Sequence, residues 1–303
     1  MSKIATIIIN RNLPKVTDRL YQKIKKNNST DIYVIDAGSD KNKLSKNCTW
    51  YIKDKDTKIN GLRYNRGINL ALAKLYNSSY FKKYDIFFCI TNDTEIITKK
   101  FDNKILKIFN KHKKLGILSP LGTNWGEKFY LKKIKTKYFW FIHNHAYFLR
   151  KEFVEDLCNN NKPYKINFLF DGSNFRGYGS EIELIAKGYA NNWASAITSE
   201  MKVQENSTYL ISKSQLIKTE TYEENFKLYL NETLGIVGSS GSGKSTLCRS
   251  LIGLLKVRGG EIKFFENNLN LKKEKSCEMQ KKIQIIFQDP FSSLNPKMTI
   301  RAI

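Results

Sequence analysis

Residues 234–255 read LGIVGSSGSGKSTLCRSLIGLL, and within them Gly238-Ser239-Ser240-Gly241-Ser242-Gly243-Lys244-Ser245 satisfies the spacing G-x-x-x-x-G-K-[ST]. The apolar run before the loop, within 233–237, reads as a strand, and 245–254 reads as a helix leaving it. Glycines let the backbone curl so that N–H groups point at phosphate oxygens. The partial positive charge of the helix start falls at the same place. Lys244 is placed to reach the β- and γ-phosphates, and the Ser245 hydroxyl to bind Mg²⁺, with Thr246 next in the phosphate-binding set. A plain Gly/Ser linker would need neither the Lys-Ser pair nor a strand and a helix on its two sides.

Outward from this loop the chain changes character. Residues 259–265 read as a hairpin and 283–287 as a strand. Between about 205 and 226 the chain is polar, rich in Ser, Thr, Lys and Glu, without strong periodicity. We therefore divide it into 1–205, a linker or domain start at 206–231, and 232–303. Before the linker, short apolar runs (4–9, 32–35, 86–90, 115–118 and 139–142) alternate with helical patterns at 16–26, 68–75 and 104–112. Several runs are β-branched and apolar throughout, which suits strands buried on both faces of a sheet. The pattern predicts an α/β fold built from crossover units.

Composition sets outer bounds. The 303 residues are 41% hydrophobic and 26% charged, normal for a globular chain with a core. No stretch approaches the roughly 20 apolar residues of a membrane-spanning helix, and the N-terminus lacks a signal-peptide pattern. These features predict a cytoplasmic protein, at the inner face of the plasma membrane if it meets a membrane at all. The five cysteines include no C-x-x-C pair, so neither a zinc site nor a disulfide framework is indicated. The net charge of +24 comes from lysines spread along the chain. That distribution reads as compositional drift, with peripheral membrane contact as the second reading and no specific nucleic-acid site.

The string ETLGIVGSSGSGKSTLCRSLIGLL followed by IQIIFQDPFSSLNPKMTI resembles the ATP-binding subunit of oligopeptide and dipeptide ABC transporters. The resemblance implies ATP and Mg²⁺ as ligands and transporter membrane subunits as partners. It makes Gln288, in FQDP, the Q-loop glutamine that contacts Mg²⁺ and the attacking water. The aromatic residue that stacks on adenine is left open between Tyr209 and Tyr222. The helical subdomain, LSGGQ signature, second acidic strand and switch histidine of the family have no counterpart after Gln288. The expectation is a partial P-loop NTPase that binds nucleotide weakly and hydrolyses little.

In the first part, ATIIINRNLP, DIYVIDAGSD, NRGINLALAKL and FFCITNDTEI resemble family 2 glycosyltransferases of the GT-A fold. The resemblance implies a sheet that holds a nucleotide-sugar donor with Mg²⁺ or Mn²⁺ at the carboxyl ends of its strands, and a glycan or lipid-linked acceptor. Asp36 ends one apolar run. Local chemistry makes it a turn former, and the resemblance assigns it to the base or ribose. Asn65 is either a helix cap or a nucleotide contact. Thr91-Asn92-Asp93-Thr94-Glu95 stands where the family carries D-x-D, with Thr91 for the first Asp and Asp93 kept as the metal ligand. The other reading of Asp93 is a helix cap. In FLFDGSNFRGYGSEIELIAKGY the resemblance makes Glu181, then Glu183, the base that deprotonates the acceptor. A helix-start carboxylate is the competing reading. His143 and His145 share a face at strand spacing and read as core or acceptor-groove residues. Glu205 stands near the place of a late family histidine, with no metal role assigned. The expectation is a composite, a GT-A-type sheet followed by a partial ABC ATPase, as two joined genes or a misassembled reading frame would give.

Overall fold

The structure is a computed structural model that describes residues 3–51, 57, 63–123, 128–131, 133–140, 142–143, 145–172, 179–206, 244–251, 263–264 and 267–268. The chain divides into two compact units, Met1–Gly235 and Ile236–Ile303.

The first unit is built on a nine-stranded mixed sheet. Its strands are β1 (Ile4–Asn10), β2 (Asp31–Asp36), β3 (Cys48–Tyr51), β4 (Ile86–Thr91), β5 (Thr94–Ile96), β6 (Leu115–Gly122), β7 (Thr136–Tyr138), β8 (Ala146–Arg150) and β9 (Ala194–Glu205). The spatial order is β3-β2-β1-β4-β8-β6-β9-β5, with β7 on β9. Strands β1 to β4 pair in parallel, and β8 runs antiparallel to both β4 and β6.

The apolar runs form strands because both faces of the sheet are covered. Alternate residues along β1 and β4 feed two cores. Ala5, Ile7, Ile9, Phe87 and Cys89 face α2 (Arg63–Tyr76), α5 (Lys151–Leu157) and α6 (Ser180–Ala190). Ile4, Ile8, Ile86, Phe88 and Ile90 face α1 (Pro14–Asn27) and α3 (Asp102–Lys111). A short helix, α4 (Lys128–Leu131), precedes β7. Helix α1 starts on a proline, whose missing N–H costs nothing in a first turn, and ends on Lys25 and Lys26, which suit the negative end of the helix. It buries Thr17, Leu20 and Ile24 along one stripe. On β4 and β8 the directly opposed Phe88 and Phe148 stack at 4.1 Å between ring centroids, and Phe101 meets both edge-on.

Two expectations change. Residues 139, 140 and 142 are not in a strand: Phe139 packs beside Leu121, Leu131 and Ile197, while Trp140 is 68% exposed. The central strand comes from AYFLR at 146–150, whose fit against β4 is a tertiary match. The sheet is therefore mixed and not a pure series of crossover units.

In the second unit, α7 spans Lys244–Leu251, and Lys263–Phe264 pairs antiparallel with Asn267–Asn268. The expected helix and hairpin are thus met in part. Residues 238–243, Gln288, Tyr209, Tyr222 and the strands expected at 233–237 and 283–287 lie outside the described residues. Among the described residues no helix is long and apolar enough to cross a membrane.

Gly116 shows how tightly the sheet is covered. A Cβ there would lie 2.3 Å from Cδ2 and 2.9 Å from Cγ of Phe153, which is fully buried. Gly116→Ala is expected to cost about 1–3 kcal/mol in denaturant unfolding. Adding Phe153→Leu should return part of that loss.

Candidate functional site

Strands β1, β2 and β4 end side by side. Asn10 stands opposite Asp36, and Ile9 opposite Thr91. Parallel strands place their polar last residues along one edge, where α/β sheets hold ligands. Asn10 Nδ2 donates to Asp36 Oδ2 at 2.9 Å, and Thr17 Oγ1 donates to Asn10 Oδ1 at 2.8 Å. Asn92 Nδ2 donates to Thr17 Oγ1 at 3.0 Å, which links the β4 turn to the same chain. Asp36 Oδ1 also accepts from the backbone N–H of Gly38 and Ser39, at 3.1 and 2.8 Å. The turn reading of Asp36 is therefore realised, and a ligand would share a carboxylate that already orders the loop. Sequence reasoning passed over Asn10, Thr17 and Asn92. The signal was present in Asn10, a polar residue at the end of an apolar parallel strand.

Asp93 does not cap a helix. It sits in the tight turn between β4 and β5, where Thr91 Oγ1 and Thr94 Oγ1 lie 2.9 Å apart and both approach the His145 carbonyl at 3.3 Å. Thr94 pairs across the strands with Glu205, and the Asn206 N–H donates to the Asp93 carbonyl at 2.9 Å. Burial raises the Asp93 carboxyl, and its Oδ1 is buried with no hydrogen-bond partner among the described residues. Burial also raises Glu205, and the Asp93 charge adds to that rise. The Asp93 charge disfavours the ionised form of the Glu205 beside it, a repulsion that a divalent cation would relieve. Asp93 and Glu205 thus fit a metal by the chemistry of their donors. Among the described residues no group of three His, Cys, Asp or Glu side chains forms a metal cluster.

Asn65 lies three residues into α2 and is no cap. Its Nδ2 donates to the Asp171 carbonyl at 3.2 Å, and Arg66 Nε donates to the Gly172 carbonyl at 2.6 Å. Asn69 Oδ1 accepts from the N–H groups of Leu169 and Phe170, both at 2.9 Å. These three residues clamp the segment that leads into α6.

Glu181 stands in the first turn of α6. A helix start would lower a carboxyl pKa, yet burial wins and raises it. Its Oε2 is buried with no hydrogen-bond partner among the described residues, and its charge reaches Tyr64, which packs edge-on against Tyr147. Glu183 is engaged otherwise. Its Oε1 accepts from Lys187 Nζ at 2.5 Å and from the Asp171 N–H at 2.8 Å. These contacts make it a brace between α6 and the segment at Asp171.

A cavity of about 250 Å³ opens on the α1 side of the β4 turn, lined in part by Arg19, Lys23, Asn92, Thr94 and Glu95. It adjoins the strand-end cluster, and Asp36 and Glu181 do not line it.

With this geometry in view, comparison with known proteins separates the two parts. Residues 222–303 match the ABC transporter family. The chain is 45% identical to the oligopeptide transport ATP-binding protein OppF of Haemophilus influenzae over 103 residues, covering 34% of this chain and 31% of that protein. It is 48% identical to OppF of Bacillus subtilis over 81 residues, covering 26% and 27%. The chain thus spans about a third or less of the length of these curated relatives. Among solved structures, GalNAc-T7 with UDP, GalNAc and Mn²⁺ superposes with a TM-score of 0.50 at 12% identity, over 68% of this chain and 44% of that one. At that identity the likeness is one of fold. The first part thus has a GT-A-type fold, and the last part is similar to ABC transporter ATP-binding proteins.

The burial of His143 and His145 has a consequence in pH dependence. Their rings lie 4.9 Å apart, and burial pulls them down to about 4 and about 3, His145 also through His143. An unfolded chain takes up these protons near 6.5. Between that value and the folded values the unfolded state binds more protons, so stability falls as pH falls. His145→Gln should therefore narrow the gap between melting temperatures measured at pH 7.5 and at pH 4.5. An unchanged gap would place the titration elsewhere.

Proposed function

We propose that the first unit transfers a sugar from a nucleotide-sugar to a glycan or lipid-linked acceptor, and that the segment 232–303 binds ATP with Mg²⁺. The observation that carries the first reading is the convergence of Asn10, Asp36 and the Asp93 turn on one edge of the sheet, with Glu205 beside Asp93. Asp36 and the loop it orders hold the base and ribose. Asp93 and Glu205 are the residues that would hold Mg²⁺ or Mn²⁺. The metal, when bound, neutralises charge on the departing nucleoside diphosphate. Glu181 takes the proton from the acceptor hydroxyl, and its raised pKa brings it closer to that task near neutral pH. Asn65, Arg66, Asn69 and Glu183 keep the loop before α6 in place.

In the ATPase segment, Lys244 and Ser245 begin α7, and with 238–243, Thr246 and Gln288 they form the proposed nucleotide site. The OppF likeness supports transporter membrane subunits as partners and the inner face of the plasma membrane as location. The boundary between the two functions is placed at 206–231.

A second reading keeps the first unit as a nucleotide- or glycan-binding domain without catalysis, with nucleotide binding for peptide import as the one function. It is favoured by Thr91, which stands where a second acidic ligand would serve a metal.

The readings separate in two assays. With Mn²⁺ and a panel of UDP- and dTDP-sugars, Asp93→Ala should abolish metal-dependent turnover. Glu181→Gln should lower kcat by about 10²–10⁴-fold and leave donor binding in place. Donor binding without turnover in the unaltered protein would select the second reading. Lys244→Ala should remove ATP binding, followed by thermal shift, and leave sugar chemistry unaltered. An equal loss of both would break the division of labour.

A further inference from the structure

The patch at 128–140 belongs to neither proposed site. Among the described residues ten large apolar side chains are exposed, and four lie here: Phe129 (69%), Ile134 (55%), Tyr138 (50%) and Trp140 (68%). The segment is held from beneath. Leu131 and Phe139 pack with Leu121 and Ile197, β7 pairs with β9, and the Ile134 N–H donates to the Leu131 carbonyl at 2.7 Å. The aromatic side chains are thus displayed on a braced edge of the sheet.

The charge between them has one sign. Residues 128–140 include five lysines and no Asp or Glu. Lys128 Nζ lies 5.3 Å from the centre of the Phe129 ring. The Tyr138 hydroxyl meets His112 Nδ1 at 2.9 Å, which joins the patch to the exposed Lys111, Lys113 and Lys114. Lys135 pairs with Glu200, and Lys133 and Lys137 are exposed.

We propose that this face docks on the surface of an anionic lipid bilayer. Trp, Tyr and Phe settle at the level of the headgroups, and lysines around them are drawn to anionic lipid. Each contribution is weak alone, and the pairing of buried apolar area with a basic rim makes peripheral binding stable. Other occupants fit less well. A nucleic acid would stack on aromatic rings, but Ile134 offers no ring, and the segment has no arginine for planar contacts. Lysines along an edge strand also oppose pairing with a second copy.

The test is sedimentation of the full chain with vesicles of phosphatidylcholine alone or mixed with phosphatidylglycerol. Binding is expected on the mixed vesicles and not on the neutral ones. Phe129→Ser with Trp140→Ser, which keeps every charge, should weaken it about tenfold or more, and so should Lys133→Glu with Lys137→Glu. Should the serine pair fail to fold, Trp140→Phe supplies the second readout: the blue shift of tryptophan emission on mixed vesicles should shrink. Binding unchanged by the serine pair, or equal on both vesicles, overturns the proposal. Stronger binding to single-stranded RNA than to mixed vesicles, lost with the same variants, overturns it too. So does dimerisation in solution that these variants abolish.

Discussion

The structure depends on β4 being buried on both faces. Ile86, Phe88 and Ile90 fill one core, and Phe87 and Cys89 fill the other. Such a strand can carry polar residues only where it leaves the sheet. It does so at Thr91, and β1 and β2 end on the same line at Asn10 and Asp36. The polar edge thus follows from the way three parallel strands run out of apolar residues together.

The chemistry proposed for that edge is governed by burial. Asp93, Glu205 and Glu181 are all raised with burial as the largest cause, although Glu181 sits at a helix start, where the dipole works in the opposite direction. Glu183 is two residues away and engaged by Lys187 and a backbone N–H. The position of a carboxylate on its helix, more than its residue type, separates a group held in reserve from a structural brace. The same logic explains the asparagines: Asn65 and Asn69 point at backbone groups of the 165–172 segment, and Asn10 points at a carboxylate.

Much of the fold was legible in the sequence. The largely apolar runs at 4–9, 86–90 and 115–118 became β1, β4 and β6, because near-continuous hydrophobicity reports burial on both faces. The run at 139–142 misled because apolar content alone does not say what pairs with it. Phe139 found a small satellite core, Trp140 was left at the surface, and β8 formed four residues later. The strand ends were legible as polar clusters. Their partners were not, since Asn10 meets Asp36 and Asn92 meets Thr17 across elements far apart in the chain.

By itself the sequence determined the P-loop spacing from Gly238 to Ser245, the apolar strands of the first unit and the excess of lysine. These are local or compositional properties, carried by neighbouring residues and unaffected by what folds against them. Only the tertiary structure brought Glu205 to Asp93, set the Asp171 N–H on Glu183 and left Phe129 and Trp140 on the outside. Pairing, burial and exposure are relations between segments brought together by folding, and they arise only when the sheet has chosen its neighbours.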